Sequence, residues 1–168
     1  MQCGHKSLID RGLSAVTIIK SIGVMSLDPI AVLAGHQEDR VWHASWSHSG
    51  HFLASCGEDK TIRIWRLVKD ESLSVFYVTV LEDAQTRTLR SCEWSPDDSM
   101  IASASFDGTV VIWECQNSSG NKWDQMASLE GHDNEVKSVS WSANGNWLAT
   151  CGRDKKIWIW EKLRGEVI

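Results

Sequence analysis

His132, Thr150 and Asp154 are the side chains with which this sequence comes nearest to chemistry. A histidine between a hydroxyl and a carboxylate suggests a hydrolytic triad, in which the imidazole takes the hydroxyl proton and the carboxylate orients the imidazole. The set does not stand alone. Trp160 follows Asp154, and the same four positions occur upstream as His36, Ser55, Asp59 and Trp65. They occur a third time as Ser103, Asp107 and Trp113, where Glu82-Asp83-Ala84 stands in place of Gly-His. Catalytic machinery is rarely copied in every unit of a chain, so the recurrence argues for a structural role and against a catalytic residue. The unit without its histidine is expected to be the softer one.

The spacing behind these sets is regular. First tryptophans lie at Trp46, Trp94 and Trp141 and second ones at Trp65, Trp113 and Trp160, a period of 48 and then 47 with 19 residues inside each pair. Each Asp sits six residues before the second Trp and each hydroxyl four before the Asp, so insertions fall between units, never within them. Within a unit, apolar and polar residues alternate in short runs between turn residues, the pattern of antiparallel strands. The runs predict strands near 30–34, 41–47, 51–56 and 61–66, then 75–81, 89–95, 100–104 and 109–114, then 125–129, 136–142, 147–151 and 156–161. Asn117 to Asn121 reads as a surface loop and Asn144-Gly145 as a tight hairpin turn. Helix has no place in this pattern.

A period in the forties with Gly-His, paired tryptophans and a turn Asp resembles the WD40 repeat, one four-stranded propeller blade per unit, over about residues 30 to 161. The resemblance implies an all-β fold of three blades near 30–66, 75–114 and 125–161, inside a WD40 domain of 25–168. Residues 1–24 lie outside the repeat and are expected to be a disordered extension. A closed propeller takes about 4 to 8 blades, so three are expected to be part of a longer one. In the family, the recurring residues form a hydrogen-bonded chain from Asp to His to hydroxyl to Trp indole. That assigns structural roles to His36, Ser55, Asp59, Trp65, Ser103, Asp107, Trp113, His132, Thr150, Asp154 and Trp160.

Composition removes several other functions. At net charge −5, with no Lys/Arg-rich run, the chain has no source for the electrostatic attraction that dominates nucleic-acid binding. Leu13 to Met25 is apolar but short and interrupted by Lys20, too little to span a membrane. Five cysteines, at 3, 56, 92, 115 and 151, form no C-x-x-C pair and read as reduced thiols. His5, His43, His48 and His51 lack the paired spacing of zinc ligands, so neither metal nor cofactor is expected.

Binding should fall on the rim, where blades present residues just before and at the start of their first strand and just before the turn Asp. That selects Arg40, Trp42 and Glu58, then Thr88, Arg90 and Phe106, then Glu135, Lys137 and Arg153. Cations and large aromatics of this kind are enriched where proteins bind each other, so Arg40, Trp42, Arg90, Phe106, Lys137 and Arg153 are the candidate protein-binding set. The stretches EGHDNEVKSVSW, LATCGRD and WIWE, with ASASFDGT and ASCGEDKTIRIW, are similar to the opening blades of the WD40 subunit of the cytosolic iron-sulfur protein assembly machinery. That resemblance implies a seven-bladed scaffold that is not an enzyme and holds no cluster. It implies work with a HEAT-repeat scaffold and a small partner to deliver clusters to cytosolic and nuclear apoproteins. Arg153 matches an arginine on that family's functional top face. The competing expectations are a peptide-reading module such as a ubiquitin-ligase substrate receptor, a hydrolase, and a truncated inactive isoform.

Overall fold

β-Branched and aromatic side chains suit a pleated, half-buried surface, and the alternating runs fold accordingly. The structure, a computed structural model, describes residues 27–69 and 73–163. These contain eleven strands and no helix: β1 (Val41–Trp46), β2 (Phe52–Gly57), β3 (Ile62–Lys69), β4 (Leu73–Leu81), β5 (Leu89–Trp94), β6 (Met100–Ser105), β7 (Val110–Cys115), β8 (Trp123–Leu129), β9 (Val136–Trp141), β10 (Trp147–Gly152) and β11 (Ile157–Glu161). All pairings are antiparallel. The expected extension, with Cys3 and His5, lies outside the described residues.

The first hairpin of each unit closes in the same way. Ser47, Ser95 and Ser142 each accept a hydrogen bond at Oγ from the backbone N–H five residues on, at 3.0, 2.9 and 2.9 Å. The residue three further along has positive φ: Gly50, Asp98 and Gly145, at 73°, 58° and 71°. Asp98 turns this exception to use, because its carboxylate accepts the backbone N–H groups of His48 and Ser49 at 2.6 and 2.8 Å and so ties the second sheet to the first.

The strands form three sheets in the orders β1-β2-β3-β4, β5-β6-β7-β8 and β9-β10-β11. Each outer strand comes from the start of the following unit: β4 opens the second unit and completes the first sheet, and β8 opens the third and completes the second. Repeat and sheet are therefore one strand out of phase. The offset corrects one expectation. No strand forms near 30–34, and residues 27–34 are exposed, because a strand that opens a unit pairs with the sheet before it and no such sheet precedes β1 among the described residues.

Period-two alternation gives each strand two faces, and the core divides accordingly. Ala54, Cys56, Ile62 and Ile64 of the first sheet pack against Leu89, Cys92, Trp94, Ile101 and Val111 of the second. Met100, Ala102, Ala104, Val110 and Ile112, on the second sheet's other face, meet Val136, Val139 and Leu148 of the third. The middle sheet is thus covered on both sides and the outer two on one. Trp94 is 2% exposed where its counterpart Trp46 is 52%, and Ile112 is 6% exposed where Ile159 is 62%.

Candidate functional site

The triad-like sets fold into buried relays. In the third sheet the Trp160 indole donates to Thr150 Oγ1 at 2.9 Å, His132 Nε2 lies 2.9 Å from the same hydroxyl, and His132 Nδ1 lies 2.8 Å from Asp154 Oδ2. The first sheet repeats it: Trp65 Nε1 to Ser55 Oγ at 2.9 Å, Ser55 to His36 Nε2 at 2.8 Å, and His36 Nδ1 to Asp59 at 3.0 Å. An indole N–H can only donate. The hydroxyl must therefore accept from it and give its own proton to Nε2, which leaves Nδ1–H to face the carboxylate. A hydroxyl buried and engaged on both sides offers nothing to a substrate. Glycine precedes each histidine because the Trp ring closes over it: a Cβ on Gly35 would lie 2.5 Å from Trp65 Cη2. Burial pushes the Asp59 carboxyl up, but hydrogen bonds from His36 and Thr61 outweigh it and hold the acid below its usual range. Asp154 is lowered in the same way, with His132 the leading donor against burial.

The second sheet departs from the sequence expectation of a missing link. Gln85 stands as far before Ser103 as His132 before Thr150. Ser103 donates to Gln85 Oε1 at 2.6 Å, and Gln85 Nε2 donates to Thr109 Oγ1 at 3.2 Å. Asp107 is held separately by the Thr86 N–H at 2.7 Å and by Thr109. Only Trp113 drops out, its indole N–H buried without a partner. The matching distance to the hydroxyl was the available signal for Gln85, hidden because the Gly-His pair itself is absent.

The rim candidates share one structural device. Across β1 and β2, Val41 faces Gly57 and His43 faces Cys56, so Trp42 is an extra residue. Arg90 bulges in the same way between Leu89 and Ser91, and Lys137 between Val136 and Ser138. A bulge leaves one residue out of the ladder and re-aims its side chain; here all three belong to the candidate set. Arg90 Cζ lies 5.2 Å from the Trp42 ring centroid and Lys137 Nζ 3.8 Å from that of Phe106. Each cation thus covers an aromatic ring of the preceding sheet. Glu135 accepts from Lys137 at 2.7 Å and faces Arg153 at 3.7 Å. The Lys137 hydrogen bond chiefly holds this carboxyl below its usual value. Arg40 is less integrated, reaching only Glu58 at 3.8 Å.

Arg87 was not among the sequence candidates. It donates to the Phe106 carbonyl at 2.7 Å and faces Glu135 at 3.5 Å, bridging the second and third sheets. The repeat carries no signal for it, since the equivalent positions are Asp39 and Asn134. Within this set, Arg87, Lys137 and Arg153 face Glu135 and Arg40 faces Glu58, and Arg90 on Trp42 makes five cations to two carboxylates.

The remaining candidate ligands serve packing. His43 Nδ1 lies 3.0 Å from the Cys92 carbonyl across the first sheet interface, and His48 lies 3.4 Å from Asp98. The Cys92 thiol is pushed well above its usual value by the adjacent Cys56 thiol and by burial, so it stays protonated in the core, where it packs between the first two sheets. Among the described residues, no group of three or more His, Cys, Asp or Glu gathers as a metal site, and no helix is long and apolar enough to cross a membrane.

Antiparallel sheets stacked face to face, one per repeat, each with a buried relay, define a protein of the β-propeller class. The chain belongs to the WD domain, G-beta repeat (WD40) family, which it matches over residues 27–66, 77–114 and 123–161. It is 40% identical over 132 residues to a Caenorhabditis elegans protein named probable cytosolic iron-sulfur protein assembly protein CIAO1 homolog, a match covering 76% of this chain and 38% of that protein. It is 34% identical over 180 residues to probable cytosolic iron-sulfur protein assembly protein 1 of Emericella nidulans, covering 90% of this chain and 39% of that protein. A Schizosaccharomyces japonicus protein, probable cytosolic Fe-S cluster assembly factor, is 40% identical over 133 residues, 79% of this chain and 20% of that protein. The chain therefore spans about two fifths or less of the length of these curated relatives.

Proposed function

We propose that this chain is a non-enzymatic WD40 adaptor of cytosolic iron-sulfur protein assembly, working in the cytoplasm by docking proteins on its rim. The observation that carries the docking role is the row of bulge residues Trp42, Arg90 and Lys137, which three successive sheets hold out of their ladders. Two of these are seated as cations on aromatic rings. Cation–aromatic pairs are rigid, and on a protein surface they contribute only about 0.5–1 kcal/mol each to the fold, so this arrangement is better accounted for by recognition than by stability. The excess of cations favours acidic surfaces on the partner, and Phe106 and Trp42 add apolar contact.

The names of the relatives supply the pathway: each is called a cytosolic iron-sulfur or Fe-S assembly protein. The family resemblance adds the partners, a HEAT-repeat scaffold, a small companion protein and apoprotein clients; clusters are cargo. A hydrolase reading is disfavoured because the triad-like hydroxyls Ser55 and Thr150 are buried and doubly engaged.

The test is co-purification of the 168-residue chain with the HEAT-repeat scaffold, alongside incorporation of radioactive iron into a client apoprotein. Arg90→Glu with Lys137→Glu should reduce capture at least about tenfold, as loss of central interface cations does, while a cooperative melt is retained, its stability lowered by only about 1–2 kcal/mol through the two lost cation–aromatic pairs. Failure of the unaltered chain to retain the scaffold would overturn the proposal.

A further inference from the structure

A cavity of about 260 Å3 opens between the first and second sheets, at the ends of the strands away from the rim. Ser49 and Asp98, which line it, stand in the hairpin turns that follow β1 and β5, whereas the rim residues stand where those strands begin. Both sheets have four strands, so the cavity lies inside the fold rather than at an uncovered face.

Its walls are aromatic. Phe52 stacks on Trp94 with ring centroids 6.1 Å apart, and Trp123 meets Trp94 edge-on at 5.6 Å. The indole N–H groups are already committed, Trp94 to the Ser45 carbonyl at 3.0 Å and Trp123 to the Gly120 carbonyl at 2.8 Å, so these side chains present ring rather than a donor. The loop that carries Gly120 closes on Phe52, whose Cε1 would lie 2.9 Å from a Cβ at Gly120. Among the described residues that line the cavity, Asp98 alone is charged. Its φ is positive, 58°, where the matching residues are Gly50 and Gly145. Burial pushes its carboxyl up, but hydrogen bonds from the Ser49 and His48 N–H groups outweigh it and hold the acid below its usual range. A carboxylate has about four lone-pair sites, and these two N–H groups leave room for further donors. The His48 ring lies 3.4 Å from the same carboxylate and competes as a cation only when protonated.

Aromatic faces and a carboxylate turn the same negative sign toward a ligand. We propose that this cavity receives an arginine side chain of a partner protein, with the guanidinium over the Phe52 and Trp123 rings and its N–H groups on Asp98. The volume falls below the roughly 300–1,000 Å3 of small-molecule sites and suits a single side chain. A guanidinium is planar and weakly hydrated, so it stacks on a ring and donates to a carboxylate together, which the compact, strongly hydrated ammonium of lysine does less well. The site is a second docking point, apart from the rim, and does not depend on the pathway assigned above.

Titration of the 15N-labelled chain at about pH 8, where an ordinary histidine is neutral, compares N-acetyl-arginine methylamide with its neutral isostere N-acetyl-citrulline methylamide. The arginine probe should shift the indole N–H signals of Trp94 and Trp123 with a Kd on the order of 1 mM. It should slow alkylation of Cys115, which lines the same cavity, and bind at least about tenfold more tightly than the citrulline probe. Asp98→Asn should weaken the arginine probe by a similar factor, and Phe52→Leu, which leaves the carboxylate in place, should weaken it several-fold. The probes are compared on the unaltered chain, so the result holds whether or not either variant folds. The proposal is overturned if the citrulline probe or N-acetyl-lysine methylamide binds as tightly, or if tens of millimolar arginine probe moves neither indole signal.

Discussion

Thr150 shows how much one hydroxyl carries in this fold. It accepts from Trp160 and donates to His132, so Thr150→Val keeps the shape and strips both partners. Leaving buried polar groups unpaired costs about 1–3 kcal/mol. That loss is the expected result in denaturant unfolding, with Thr150→Ser, which keeps the hydroxyl, recovering most of it. Acid should act on the same networks. Burial raises Asp59, Asp107 and Asp97, but hydrogen bonds outweigh it, and Asp97, held by Ser95 and Ser99, falls to about 2. Below about pH 5 the unfolded chain, with Asp near 3.9, binds more protons than the native one. Stability from these groups is therefore complete above that pH and is lost as pH falls toward about 2. Glu93 is raised by burial and acts in the opposite direction: its contribution is present below its unfolded value and lost as pH rises through the folded one. With three or more aspartates against one glutamate, unfolding midpoints should decline steadily below pH 4, measured at fixed ionic strength.

At the scale of the element, the turns after the conserved-spacing Asp pose a testable contrast. Lys60 and Lys155 adopt φ of 65° and 66°, where the second unit has Gly108 at 95°. Left-handed backbone costs a residue with a Cβ roughly 1 kcal/mol, while glycine gives back part of that in unfolded-chain entropy. Gly108→Ala should therefore lose about 1 kcal/mol and Lys155→Gly should gain about 0.5 kcal/mol, read from urea midpoints. Strand positions were legible because alternation is a local property: β6 and β10 fall within a residue or so of their expected ends. The sheet to which a strand belongs was not local. Residues 30–34 carry the apolar character of an outer strand but pair with no strand among the described residues. The bulges were illegible for a related reason, since two residues set against one can be counted only once the partner strand is known. Trp42, Arg90 and Lys137 were found through their place in the repeat, while Gln85 and Arg87, which break the repeat, were not.

For the whole molecule, stability is set by how many faces each sheet has covered, and equivalent residues should report it. Ile112 and Ile159 hold the same repeat position, one buried between two sheets and the other exposed. Ile112→Ala removes buried methyl groups and leaves a cavity, a loss of about 2–5 kcal/mol. Ile159→Ala in a single copy should cost no more than about 0.5 kcal/mol, as surface changes do. The comparison also separates folding from association. If the third sheet's exposed face associates with another molecule, the cost of Ile159→Ala will grow with protein concentration, because the native state it weakens is then the complex, while that of Ile112→Ala will not. Thermal unfolding of both variants over a hundredfold range of concentration makes the distinction. A cost at Ile159 that stays small and constant means the terminal faces remain free, and the middle sheet alone sets the stability of the chain.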